Sequence, residues 1–246
     1  MNRRFIVLIF TIVVAILVTA CSHSPGRPVA GSQVIPPDQV MDFNTLYASN
    51  CAGCHGRGGR GGASIPLSDP IFLAIADDAV IRQTASVGVP GTPMPAFAQS
   101  AGGMLTDKQI DAIVGGIRSW ANPEALRGAI PPPYSAQIPG DPRHGAEVYA
   151  TYCSACHGRN GEGGTKASSI VDGSFLTLVS DQNLRTLVIV GRSELGAPDW
   201  RNNLPGKPMS SQEVSNVVAW LSAQRPRLPA EPYSKPSVGS ATRVIP

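Results

Sequence analysis

Little in this chain suits the building of large packed cores from side chains alone. Phe, Trp and Tyr make up only 6% of its 246 residues. Glycine and proline, at 26 and 23 residues, take about a fifth of it. That share is high for two ordinary packed domains, so either much of the chain is loop or something other than side chains fills the cores. Charge is scarce too: charged residues are 15% and the formal net charge is +3. Beyond Arg3 and Arg4 no basic cluster occurs, so a nucleic-acid partner has no electrostatic footprint. Without a patch of one sign, docking is not dominated by long-range steering.

The long apolar run lies at the N-terminus. Arg3 and Arg4 precede Phe5–Val18, and then come Thr19, Ala20 and Cys21. This is the layout of an export signal, and its end resembles a bacterial lipoprotein processing site. On that reading residues 1–20 are a signal peptide and Cys21 carries lipid, which anchors by burying methylenes at about 0.8 kcal/mol each. An uncleaved anchor is the alternative. Either way the remainder lies outside the cytoplasm, in the cell envelope, tethered to a membrane and facing the periplasm or exterior. Residues 21–38 have no apolar period and read as a flexible tether.

Four of the five cysteines remain, as Cys51-Ala52-Gly53-Cys54-His55 and Cys153-Ser154-Ala155-Cys156-His157. A CxxCH run marks c-type haem attachment: two thiols join the haem's vinyl groups and the adjacent imidazole ligates the iron. A four-thiolate zinc site or two disulfides leave both histidines as coincidence and the cores unfilled. Two covalently bound haems fill them.

The surroundings repeat. HGRGGRGG at 55–62 answers HGRNGEGG at 157–164, and LTDKQIDAIVGGI at 105–117 answers MSSQEVSNVVAWL at 209–221. Each unit reads as a helix running into CxxCH (41–50, 143–152), Gly-rich loops, a middle helix (78–87, 181–190), a loop, and a last helix. That last helix opens on a capping box, Thr106 with Gln109 or Ser210 with Glu213. It carries an apolar stripe, Ile110, Ile113, Val114 and Ile117 or Val214, Val217, Val218 and Leu221.

These motifs resemble the class I cytochrome c family, in a tandem di-haem lipoprotein form. The resemblance implies an all-α fold of two cytochrome c domains, 39–121 and 141–225, whose first and last helices cross. A Pro-rich linker, 122–140, joins them and a Pro-rich tail, 226–246, follows; nothing in the linker's sequence fixes the domains' orientation. It implies His55 and His157 as iron ligands. It also implies a methionine from the ligand loop opposite each, soft and favouring ferrous iron. For the first haem that is Met94, between Pro93 and Pro95, with Met104 as its rival. In the second unit APDW at 197–200 answers MPAF at 94–97, and alanine cannot ligate iron. Met209 is the substitute expected from the sequence, with His144, water or an open iron as alternatives. The activity implied is single-electron transfer between redox proteins or within a membrane respiratory complex, with no small organic substrate. Two rivals remain. One is a haem enzyme such as a peroxidase, working at an open second haem with Asp199 and Arg201 beside it. The other is a haem-bearing docking subunit.

Overall fold

The computed structural model describes residues 35–226. The expected signal peptide, Cys21 and His23, most of the tether and nearly all of the tail lie outside the described residues. Two units are distinguished, Met1–Gln39 and Val40–Pro246. In the first, the described residues form one 3-10 turn, Pro37–Gln39.

The second unit holds both repeats. Among the described residues there are ten α-helices and no strand. The first repeat carries α1 (Phe43–Asn50), α2 (Ala52–His55), α3 (Pro70–Ile75), α4 (Asp78–Val87) and α5 (Asp107–Arg118). The second carries α6 (Pro142–Tyr152), α7 (Ser154–His157), α8 (Gly173–Leu178), α9 (Asp181–Val190) and α10 (Ser211–Ser222). Both capping boxes form as read from the sequence. The stripes on α5 and α10 are buried along their length, and α1 packs across α5 as α6 packs across α10. No helix among the described residues is long and apolar enough to cross a membrane.

The short helices α3 and α8 were read as loop. Six residues are too few to show a 3.6-residue period, and their signal is the cap. Asp69 accepts from the Ile71 and Phe72 amides and Asp172 from the Phe175 amide, satisfying donors that a helix start leaves unpaired.

The two helix crossings solve one steric problem in opposite ways. A Cβ on Gly116 of α5 would lie 2.0 Å from the Phe43 ring of α1. In the second repeat the glycine is Gly145, on α6, where a Cβ would lie 2.1 Å from Asn216 O and 2.7 Å from Trp220 Cβ. Phe43 and Gly116 thus answer Gly145 and Trp220, with bulk and gap exchanged between the helices.

An arginine ties each last helix to the turn before the middle helix. Arg118 bonds Asp78 at 2.6 Å and the Leu73 and Ala76 carbonyls. Arg225 bonds the matching set, Asp181, Leu176 O and Val179 O.

The linker is not a loose spacer. Arg185 of α9, only 3% exposed, donates to Pro133 O, Tyr134 O, Ser211 Oγ and Ser215 Oγ. Gln182 donates to Tyr134 O at 2.8 Å. The linker's start, Pro123–Leu126, packs on α3, and α3 packs on α9. One apolar core therefore runs from Leu46 and Phe72 through to Ile189 and Val217. The orientation that the linker's sequence left unspecified is set by Arg185 and by contacts between the repeats.

Candidate functional site

Each CxxCH segment is one helical turn. The Cys54 and His55 amides both donate to Cys51 O, at 3.2 and 3.0 Å, and those of Cys156 and His157 to Cys153 O, at 3.1 and 3.0 Å. Residues at i, i+3 and i+4 share a helix face, so each turn gathers two thiols and an imidazole. His55 Nδ1 lies 2.8 Å from Ile65 O and His157 Nδ1 2.9 Å from Ser168 O. A carbonyl only accepts, so Nδ1 donates and Nε2 keeps its lone pair for a metal. Burial lowers the pKa of His55 and favours the neutral, ligating form, against its bond to Ile65. Burial, with Cys54 beside it, pushes the Cys51 thiol up to about 11. Burial, with Cys156 beside it, pushes Cys153 to about 12.

All four of these thiols are unbridged. Among the described residues no three His, Cys, Asp or Glu side chains gather into a metal-ion site, so the two Cys pairs do not combine as four zinc ligands. Two unbridged thiols beside an imidazole whose Nδ1 is bonded to a carbonyl, leaving Nε2 free, are a donor set that fits a covalently held haem, twice over. Such a group supplies one-electron chemistry at its iron. The thiols would supply attachment, and the imidazole a nitrogen whose orientation the carbonyl sets.

The Gly-rich loop folds back on the first turn. A Cβ on Gly62 would lie 2.2 Å from Cys54 O, so only glycine fits. Tyr47 Oη donates to Gly56 O at 3.1 Å and Tyr149 Oη to Gly158 O at 2.5 Å, closing both loops alike.

The loops after the middle helices are shaped by similar backbone bonds, with a one-residue shift on the helix. Val89 N donates to Met94 O at 3.0 Å, as Arg192 N donates to Ala197 O at 2.9 Å. Phe97 N donates to Ala85 O at 3.1 Å, whereas Trp200 N donates at 3.1 Å to Ile189 O, one residue beyond the counterpart of Ala85. Leu105 N donates to Phe97 O at 2.8 Å, as Met209 N donates to Trp200 O at 2.9 Å. Ala197 therefore occupies the backbone place of Met94, and Met209 that of Leu105. Met209 is 2% exposed within the apolar core, and its sulfur lies 3.7 Å from Asn203 Nδ2. Met94 is half-buried and Met104, its rival, is 82% exposed. His144, on the first turn of α6, lies 3.2 Å from Asp141 Oδ2.

The second loop carries a feature the sequence did not announce: it reaches the first repeat. Arg192 Nη2 donates to Gly62 O at 2.6 Å, and its Nε pairs with Glu194. Arg201 Nη1 donates to Leu126 O at 3.2 Å, while its Nη2 pairs with Asp199 at 2.7 Å. Its guanidinium also lies over the Trp200 ring. Asp199 and Arg201, candidates for acid–base work, are thus spent on each other and on the contact between repeats. The one signal for this was Arg192 standing where the first repeat has Val89.

The family described as "Cytochrome C oxidase, cbb3-type, subunit III" matches residues 38–115 and 140–221. The chain is 33% identical over 140 residues to the "Cbb3-type cytochrome c oxidase subunit CcoP" of Azospirillum sp. (strain B510), covering 52% of this chain and 42% of that protein. It is 34% identical over 140 residues to the "Cbb3-type cytochrome c oxidase subunit FixP" of Azorhizobium caulinodans, covering 53% and 43%. It is 22% identical over 181 residues to the "Cytochrome bc1 complex cytochrome c subunit" of Mycobacterium bovis (strain ATCC BAA-935 / AF2122/97), covering 72% and 60%. The chain thus spans about half the length of the curated relatives it matches.

Proposed function

The chain belongs to the cytochrome C oxidase, cbb3-type, subunit III family, and from that premise we propose that it serves a membrane respiratory complex as an envelope-side electron relay. It is an all-α electron-transfer cytochrome with two covalently attached c-type haems. Cys51, Cys54 and His55 hold the first haem and Cys153, Cys156 and His157 the second. Met94, in its proline-bounded loop, is the sixth ligand of the first. Lipidated Cys21 tethers the chain to the membrane, facing away from the cytoplasm, and redox proteins of the complex give and take its electrons.

One observation carries this reading: in both repeats an imidazole's Nδ1 is locked on a backbone carbonyl, which presents Nε2 beside two thiols. A ligand so oriented changes little when its iron gains or loses an electron. Arg192 also bonds the first repeat at Gly62 O, and Arg201 and Arg185 bond the linker between the repeats at Leu126 O and Pro133 O.

The test is the full chain isolated from membranes. Haem content by pyridine haemochrome should be two per chain. A redox titration should show two one-electron steps, and stopped-flow mixing should show reduction by a donor and reoxidation by an oxidase preparation. Cys21→Ser should move the protein from the membrane fraction to the soluble one. A single haem per chain, or haems that no respiratory preparation oxidises, would refute the relay.

A further inference from the structure

We propose that the distal side of the second haem has no methionine, and that this haem takes a small neutral diatomic ligand, such as carbon monoxide, at its sixth position. The inference rests on the di-haem reading above and concerns what the chain places opposite His157.

The argument starts from the matched loops. Three comparable backbone bonds shape the segment after each middle helix: the one at Met94 or Ala197 is matched residue for residue, and the one to the helix is shifted by a residue. The same glycine, in positive φ, lets the loop lie against the helix end. A Cβ on Gly88 would lie 2.6 Å from Met94 O, and one on Gly191 would lie 2.4 Å from Pro198 O and 2.8 Å from Ala197 O. In the first repeat this frame presents a thioether. In the second it presents the methyl of Ala197, which has no electron pair to offer.

No neighbour takes over. Met209 stands 12 residues beyond Ala197, in the frame of Leu105. Its amide is bonded to Trp200 O and its sulfur is met by the Asn203 amide. The next residue, Ser210, closes the capping box of α10 with Glu213 at 2.8 Å, and Glu213 also accepts from Tyr152 Oη at 3.0 Å. Bringing Met209 into the place of Ala197 would break the cap and empty a core position. Lys207 has its ammonium over the Tyr152 ring. Between Arg192 and Pro208 there is no other methionine, histidine or cysteine. The loop is also braced against the first repeat through Arg192 and against the linker through Arg201, so it is not free to refold around a new donor.

The ligand gives an electron pair to a vacant coordination position, and no electron leaves or enters the haem in the binding step. Without a thioether, the second haem sits at a lower potential than the first. The two centres therefore differ in both ligand access and potential.

The test uses the holoprotein, after haem analysis has established two haems per chain, so that a failure here is distinct from a failure of the relay reading. Carbon monoxide is titrated into the dithionite-reduced protein. One carbon monoxide per chain is expected, and the ferric protein should show one low-spin and one high-spin signal in electron paramagnetic resonance. Ala197→Met, which completes the existing frame, should abolish binding and turn the high-spin signal low-spin. Met209→Leu should leave both readouts unchanged. Binding at neither haem, or at both, overturns the proposal. So does a Met209→Leu variant that converts a low-spin signal to high-spin, since Met209 would then be the ligand. The wild-type titration and Met209→Leu decide the matter even if Ala197→Met does not fold.

Discussion

Replacing Arg185 by alanine should loosen the linker and destabilise the whole second unit. The side chain is 3% exposed and makes five hydrogen bonds, all to neutral acceptors. Burial lowers its pKa from the usual guanidinium value, as expected for a charge with no carboxylate among those partners. A hydrogen bond from a charged group contributes about 1.5–3 kcal/mol. Two considerations reduce the sum. Pro133 is exposed and Tyr134 half-buried, so water can reach the freed carbonyls, and removing the charge removes its own desolvation cost. The net loss is about 2–4 kcal/mol. At roughly 2–4 °C per kcal/mol for a unit of this size, the melting temperature should fall by about 5–15 °C. Arg185→Lys should recover only part of this, because an ammonium cannot span four acceptors as the planar fork does. Circular dichroism melts of the holoprotein read the stability, and limited proteolysis reads cleavage between residues 122 and 140. A melt within about 2 °C of wild type, with the linker cleaved no faster, would refute the claim that this side chain holds the linker.

Gly145→Ala should cost more than Gly116→Ala. The first drives a methyl into the Asn216 carbonyl and separates two helix backbones, whereas the second meets only the Phe43 side chain, which can swing aside about χ1; overpacking costs about 1–3 kcal/mol. Phe43→Ala should relieve Gly116→Ala but have no effect on Gly145→Ala in denaturant melts. Arg118→Ala and Arg225→Ala should each destabilise by about 1–3 kcal/mol, and hydrogen exchange should quicken at the turns Leu73–Asp77 and Leu176–Ser180 respectively; equal effects on both turns would contradict the assigned contacts. Arg192→Ala removes the bond to Gly62 O and should raise exchange in residues 56–65 while leaving α9 protected.

The attachment turns, both capping boxes and both buried stripes were legible because each is local or periodic, while the crossing of first and last helices came only from the resemblance to class I cytochromes c. A cap is a residue type at a fixed offset, and a stripe repeats with the helix. Gly-rich loops were legible as loops, but not their docking, since the role of Gly62 depends on Cys54 O lying above it. The contact between repeats was not legible at all. Arg185, Arg192 and Arg201 reach the linker or the first repeat at backbone carbonyls, and any residue supplies a carbonyl, so no pattern in sequence marks the partner. Helices α3 and α8 escaped for want of length.

Pairing the repeats residue by residue also hides where they keep a contact but move its owner. Arg118 stands in the register of Ser222, yet its contacts are reproduced by Arg225, one turn further on. Trp120 packs on Tyr47 from the end of α5, while the ring on Tyr149 is Trp220, one turn earlier than the register of Trp120. Such sliding costs little on a helix, because residues three or four apart share a face and a long side chain covers the difference. A loop offers no such equivalence. Between Pro93 and Pro95 the backbone points one residue in one direction, and its neighbours cannot stand in for it. A displaced residue therefore keeps the contact for the helical arginines and tryptophans, and on the proposal above the thioether has no such stand-in. Of the second repeat's departures, the exchange of Met94 for Ala197 is the one that the fold has no local means of repairing. That makes Ala197→Met the informative substitution: a single side chain in an existing frame should convert the second haem into a copy of the first.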